Sequence, residues 1–223
     1  MAVEHHHIGT PPLEADDSDW ELVPHSTTGR IFLYSPSAGV SVWTLPGLSS
    51  GPLSIFEAAL MGDLELIQRY AAMKGKLDVN TEPEKNTVMH YAVSVGRSEI
   101  VAYLLSRMDR PHRPNADGVT PFSLACAYGH SAVAMQLISG GALLTAVDRQ
   151  GDCCLHAAAR HAQTHTAQQL LSLITTERNK PLFGHLIWSK NIFGQTSYDV
   201  AISAGFNDTA ELILLFMRTN TRT

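Results

Sequence analysis

From residue 53 onward the hydrophobic residues keep the period of a helix, and short polar, glycine-bearing stretches interrupt them at a steady interval. In Glu99-Ile100-Val101-Ala102-Tyr103-Leu104-Leu105 the apolar residues at 100, 101, 104 and 105 make one helical face that a neighbour must cover. Gly118-Val119-Thr120-Pro121-Phe122-Ser123-Leu124-Ala125, followed by Gly129-His130, opens another helix. A threonine cap with proline at the first helical position is a start signal. The same pattern stands 33 residues upstream as Thr87-Val88-Met89-His90-Tyr91-Ala92, closing on Gly96. It stands again 33 residues downstream as Cys153-Cys154-Leu155-His156-Ala157-Ala158. Before residue 53 the pattern differs. Glu21-Leu22-Val23 and residues 31–34 and 40–43 are β-prone runs, separated by Ser26-Thr27-Thr28-Gly29 and Pro36-Ser37-Ala38-Gly39. They predict a three-stranded antiparallel meander.

A period of this length with T-P-L-H-x-A at the helix start denotes a finger turn and two short antiparallel helices, stacked on copies of themselves. The run resembles ankyrin repeats. The resemblance divides 53–219 into about five repeats: 53–80, 81–115, 116–148, 149–190 with an insertion, and 191–219, leaving 220–223 as a tail. The first lacks the T-P start, as an opening repeat with one face toward solvent can. From His156 to Asp199 the spacing is 43 residues, so ten are inserted. With an outer helix over 165–175, the stretch 176–190 reads as a long finger. The last outer helix, 209–217, reads as apolar nearly all round, which requires either a cover from elsewhere in the chain or an interface.

In the N-terminal part, Trp20 and Trp43, the middle run Gly29-Arg30-Ile31-Phe32-Leu33-Tyr34 and the close Trp43-Thr44-Leu45-Pro46 resemble a WW domain. The resemblance implies that Trp20, Leu33 and Pro46 clasp on one face of the sheet. Phe32 and Trp43 on the other face would form a slot for a proline ring, and Ser41 would donate a hydrogen bond to the ligand backbone. The ligand so implied is a proline-rich peptide in the polyproline II conformation. The copy departs from the family where Phe32 lacks a hydroxyl, where Ser35-Pro36 replaces Asn-His, and where no proline stands just before Trp20. The expected organisation is a disordered acidic tail over 1–18, the WW-like domain over 19–46, a linker over 47–52 and the repeats after it. The expected fold class is mainly α: an ankyrin-repeat solenoid preceded by a small three-stranded antiparallel β meander.

Charge narrows the partners. The net charge of −5 falls on the first fifty residues, where six acids face Arg30 alone; the rest is neutral. No basic stripe offers itself to nucleic acid. No apolar run is long enough to span a membrane. The three cysteines make no disulfide framework, which suits a reducing compartment, the cytoplasm or nucleus.

Chemistry finds little purchase. His5, His6 and His7 read as part of a solvated tail. The resemblance assigns His90 and His156 a structural bond between adjacent fingers, and His130 to the G-H position. His161 and His165 are spaced to share a helix face, yet no third metal ligand stands near them, so no metal site is assigned. Cys153 and Cys154 lie at a helix start, where the dipole favours a thiolate, and Asp152 reads as a cap acceptor. Cys126 reads as a small buried residue. Phosphate loops, nucleophile elbows and paired catalytic carboxylates are absent, so neither an enzyme activity, a cofactor nor a small-molecule substrate is expected.

What remains is surface. The resemblance implies a concave face built from the inner helices and finger tips, with Met61, Val95, Tyr128, Arg160 and His161 at the helix ends and Val119, Arg149 and Phe193 on the fingers. Tyr128, near the middle, is the kind of anchor that dominates an interface. The expected function is a non-enzymatic adaptor that holds a protein partner in the groove and a proline-rich peptide on the WW-like module. A structural subunit of a larger assembly, or a regulatory or recruiting subunit of an enzyme complex, stands as the alternative.

Overall fold

The computed structural model describes residues 54–72, 77–78, 84–175 and 180–220, apart from the side chains of 180–183 and 220, together with the backbone of 21–24, 31–35 and 40–42. The helices come in pairs: α1 (Ile55–Met61) with α2 (Leu64–Ala72), α3 (Val88–Ser94) with α4 (Ser98–Arg107), and α5 (Pro121–Tyr128) with α6 (Ser131–Ser139). They continue with α7 (Cys154–Arg160) and α8 (Thr164–Ile174), then α9 (Lys180–Ile187), and finally α10 (Ser197–Ser203) and α11 (Asn207–Asn220).

One local device starts every inner helix. The third residue of the helix folds back on the backbone N–H of the cap residue: Glu57 on Ser54, His90 on Thr87, Ser123 on Thr120, His156 on Cys153 and Asp199 on Thr196. Helix N-termini carry orphan N–H groups, and this reciprocal arrangement satisfies one at each start. After each inner helix the chain turns through a left-handed residue, glycine at 62, 96, 129 and 205. In the fourth pair that residue is Ala162, at φ 55°.

The pairs stack into two layers. The inner helices pack in the order α1, α3, α5, α7, α10, and the outer ones run α4, α6, α8, α11. Met89, Phe122 and Leu155 occupy the same station in successive inner helices and are all buried, so each pair closes over the one before it. The fingers are stitched by backbone bonds, Ala116 N to Glu84 O, Arg149 N to Asp117 O and Ile192 N to Gln150 O, at 2.7, 2.9 and 2.9 Å.

Three expectations are corrected. The first is the fold class: over the described residues from 54 to 220 no β-strand occurs, and the regular structure is helical throughout. In the N-terminal part the backbone of β1 (Glu21–Pro24), β2 (Ile31–Ser35) and β3 (Val40–Val42) pairs antiparallel in that order. A ladder of strands this short becomes a module only through a covered apolar face. The residues that would form it, Trp20, Leu33 and Pro46, have no described side chains. The fold class is therefore that of the described helices, an α-helical solenoid, and the expected WW-like module is not carried into it. The tail over 1–18 and the linker over 47–52 also lie outside the described residues.

The second correction concerns the insertion. It is not a long finger: it contains α9, which packs on α8 and buries Leu186 and Ile187. The apolar run forms a helix of 8 residues, about two turns, against the surface that the outer helix offers. The third is α11, which is amphipathic rather than apolar all round. Ala210, Ile213 and Met217 face the stack, while Glu211, Leu215 and Arg218 are exposed.

Candidate functional site

The seams between helix pairs are not alike. At the second-to-third seam, His90 Nδ1 accepts the Thr87 N–H at 3.1 Å. The ring proton therefore sits on Nε2, which donates to the Val119 carbonyl at 3.0 Å. The fourth-to-fifth seam repeats this: His156 Nδ1 takes the Cys153 N–H at 3.3 Å and Nε2 donates to the Gln195 carbonyl at 3.0 Å. Between the third and fourth pairs the station is Ser123. Its hydroxyl accepts the Thr120 N–H and donates to the Thr120 carbonyl, and it ends there. The Val119 and Gln195 carbonyls each accept a second bond, from Asn115 N and Asn191 N. The equivalent Asp152 carbonyl accepts from Asp148 N at 3.1 Å and, among the described residues, makes no crossing bond.

A cavity of about 340 Å³ opens at this seam. Val119, Leu124, Ala127 and Ala157 supply apolar surface, Ser123 and Asp152 line it, and Asp117, Asp148, Arg149, Gln150, Arg160 and His161 complete its wall. Asp152 is only 5% exposed. Its carboxylate is gripped by Arg160 Nη2 on one oxygen and by Asn191 Nδ2, at 2.9 Å, on the other. A buried charge needs such partners. The pair also fixes the Arg160 guanidinium in the cavity wall. Arg149 and Asp117 lie 3.9 Å apart with both side chains exposed, which gives a weak, screened attraction.

Of the residues the sequence points to, Val119, Arg149, Arg160 and His161 come together around this cavity. Met61, Val95 and Tyr128 lie elsewhere, at the ends of successive inner helices, and are 65%, 41% and 54% exposed. They form an apolar series with one member per pair. The Tyr128 ring is held against the His130 ring at a 6.3 Å centroid distance, and His130 Nε2 in turn donates to the Ser94 carbonyl at 3.2 Å. Phe193 sits at a finger turn, 66% exposed. The proline slot of Phe32, Ser41 and Trp43 lies outside the described side chains.

Two residues of the site escaped sequence reading. Asp152 is no helix cap, because Cys153 holds that position and the carboxylate turns to Arg160 and Asn191. Ser123 was visible as the one break in the histidine series His90, Ser123, His156. The thiols are corrected too. The hydrogen bond that Cys153 donates to Cys154, with burial, pushes the Cys153 thiol up, and the one that Cys154 donates to Cys126 does the same to Cys154, against the helix-dipole expectation of a thiolate. His161 ends α7 while His165 lies in α8, so the two do not share a helix.

The site thus sits in a repeat array whose relatives can be stated. Residues 55–148 match the family model of ankyrin repeats, in three copies. The chain is similar to XBAT31 of Arabidopsis thaliana, named as an E3 ubiquitin-protein ligase, with 33% identity over 122 residues, 53% of this chain and 26% of that protein. It is similar to p28 of Saccharomyces cerevisiae, named as a 26S proteasome regulatory subunit, with 26% identity over 144 residues, 62% of each chain. Protein phosphatase 1 regulatory subunit 27 of Mus musculus is 36% identical over 92 residues, 41% of this chain and 59% of that protein. The chain therefore spans between about a quarter and three fifths of these relatives. Across 55–148 the stretch that resembles ankyrin repeats thus matches the ankyrin-repeat model.

Proposed function

We propose that this chain is a non-enzymatic protein-binding scaffold, in which all five helix pairs act as one ankyrin stack and the inner-helix side holds a protein partner. The observation that carries this is the exposed apolar series Met61, Val95 and Tyr128, leading along the inner layer toward the seam cavity walled by Arg149, Arg160 and His161. Exposed aromatic and arginine side chains in a preorganised setting are the usual anchors of an interface. Tyr128 has such a setting in its contact with His130. Two relatives are named as regulatory subunits of enzymes, which favours a regulatory or recruiting role within the same reading. Three buried free thiols favour a reducing compartment, cytoplasm or nucleus. Among the described residues no helix is long and apolar enough to cross a membrane.

The test is co-purification from a lysate with the full chain, the Tyr128→Ala variant and the Arg160→Ala variant, with captured proteins quantified by mass spectrometry. A defined partner set that both folded variants lose is the expected result. A partner set that neither variant changes removes the groove from the reading.

A further inference from the structure

We infer that the cavity between the third and fourth helix pairs is a receptor for a neutral imidazole, presented as a histidine side chain by the protein held in the groove. The partner clause rests on the function proposed above. The existence of the site does not.

The inference comes from comparing three equivalent places in one molecule. At two seams an imidazole bridges the pairs and donates from Nε2 to a finger carbonyl at 3.0 Å. At the third the same station is Ser123, whose hydroxyl satisfies the cap alone. The helix start thus needs nothing more, and only the crossing donor is missing. The Asp152 carbonyl, counterpart of Val119 and Gln195, holds one hydrogen bond among the described residues where they hold two. A carbonyl oxygen has two acceptor sites, so a further N–H can be taken there. The space is present, since about 340 Å³ is many times the volume of one water molecule.

The ring that fits is planar, with an N–H donor and apolar faces. Leu124, Ala127 and Ala157 offer those faces surface. The wall carries three carboxylates (Asp117, Asp148, Asp152) and two arginines (Arg149, Arg160). Asp117 and Asp152 are each paired with an arginine and Asp148 takes the N–H groups of Gln150 and Asp152, so neither a full cation nor a full anion finds an unpartnered opposite charge there. A neutral heterocycle loses least by leaving water for such a wall. The two other seams show that this scaffold already accommodates an imidazole in that geometry.

The probe is 4-methylimidazole, the histidine side chain without its backbone, titrated at a pH above its own pKa and followed in amide-resolved NMR spectra of the full chain. Saturable shifts in the millimolar range, the affinity open to so small a ligand, are expected to cluster at Ser123, Leu124, Asp152 and Ala157. The Ser123→His variant supplies the ring from within and is expected to abolish them. Ala157→Leu, which fills the cavity from the opposite wall, is expected to do the same while the remaining amide pattern stays native. Absence of clustered shifts in the wild type, or shifts that survive both substitutions, overturns the site. The partner clause is read separately: Ser123→His is expected to reduce capture of the proteins that Tyr128→Ala also loses. Imidazole binding with capture unchanged overturns the partner's histidine and leaves the scaffold reading standing. Loss of the scaffold reading itself shows instead as insensitivity of capture to Tyr128→Ala.

Discussion

His90 Nε2 and the carbonyl of Val119, 29 residues apart in sequence, lie 3.0 Å apart and join two helix pairs through one ring. The same ring accepts the Thr87 N–H on Nδ1, so it holds the bridge only while neutral. Burial lowers its pKa, with the Val119 bond pulling the other way. The unfolded chain therefore binds a proton, below about pH 6.5, that the folded chain refuses. Stability is present above that pH and is lost as pH falls toward the folded pKa. Between about pH 7.5 and about pH 5 the wild-type urea midpoint is expected to fall relative to that of His90→Gln, while His156, whose pKa is raised, works in the opposite direction in both proteins. In His90→Gln the midpoint starts lower and the decline is shallower. An unchanged slope in the variant would assign the pH dependence to other groups.

Ala162 adopts φ 55° at a turn where every other pair has glycine. A left-handed alanine costs about 1–2 kcal/mol, offset in part by the greater chain entropy glycine loses on folding. Ala162→Gly is accordingly expected to raise unfolding free energy by roughly 0.5–1 kcal/mol. Chemical denaturation with an unchanged m-value is the measurement, and a destabilised variant contradicts it.

Arg160 satisfies one oxygen of the Asp152 carboxylate, which is almost fully buried. Arg160→Leu leaves that oxygen unpaired and is expected to cost about 1–3 kcal/mol. A double-mutant cycle with Asp152→Leu should return a coupling of at least about 0.5 kcal/mol. Additive losses would mean that the pair holds nothing together.

The three thiols are buried, and those of Cys153 and Cys154 are pushed upward, so the native protein offers little thiolate. An aromatic disulfide reagent is expected to leave the folded chain almost unlabelled near pH 8 and to modify all three cysteines after denaturation. Rapid labelling of folded protein would show that the seam opens readily.

The helix starts were legible because each is a local sentence: Thr120-Pro121, with Ser123 three residues after the cap, specifies its own turn before any neighbour arrives. The repeat spacing likewise placed Met61, Val95 and Tyr128 at equivalent helix ends. Asp152 was not legible. Its local context, beside a helix start, argues for a cap, and its true partners lie 8 and 39 residues away. Those partners meet it only after α7 and the next finger are in place. The cavity was invisible for the same reason, since Ser123 is an adequate cap and only the arrangement of adjacent fingers reveals what it fails to reach. The insertion was misjudged because the folding of α9 depends on the surface that α8 supplies.

The inserted helix has a practical consequence. The stack runs on past it, with α8 still packed directly against α11. Whatever occupies that detour is mechanically a side branch rather than a link in the column. It is thus a natural port at which to graft a fluorophore, an affinity handle or a crosslinker, provided the buried Leu186 and Ile187 are kept.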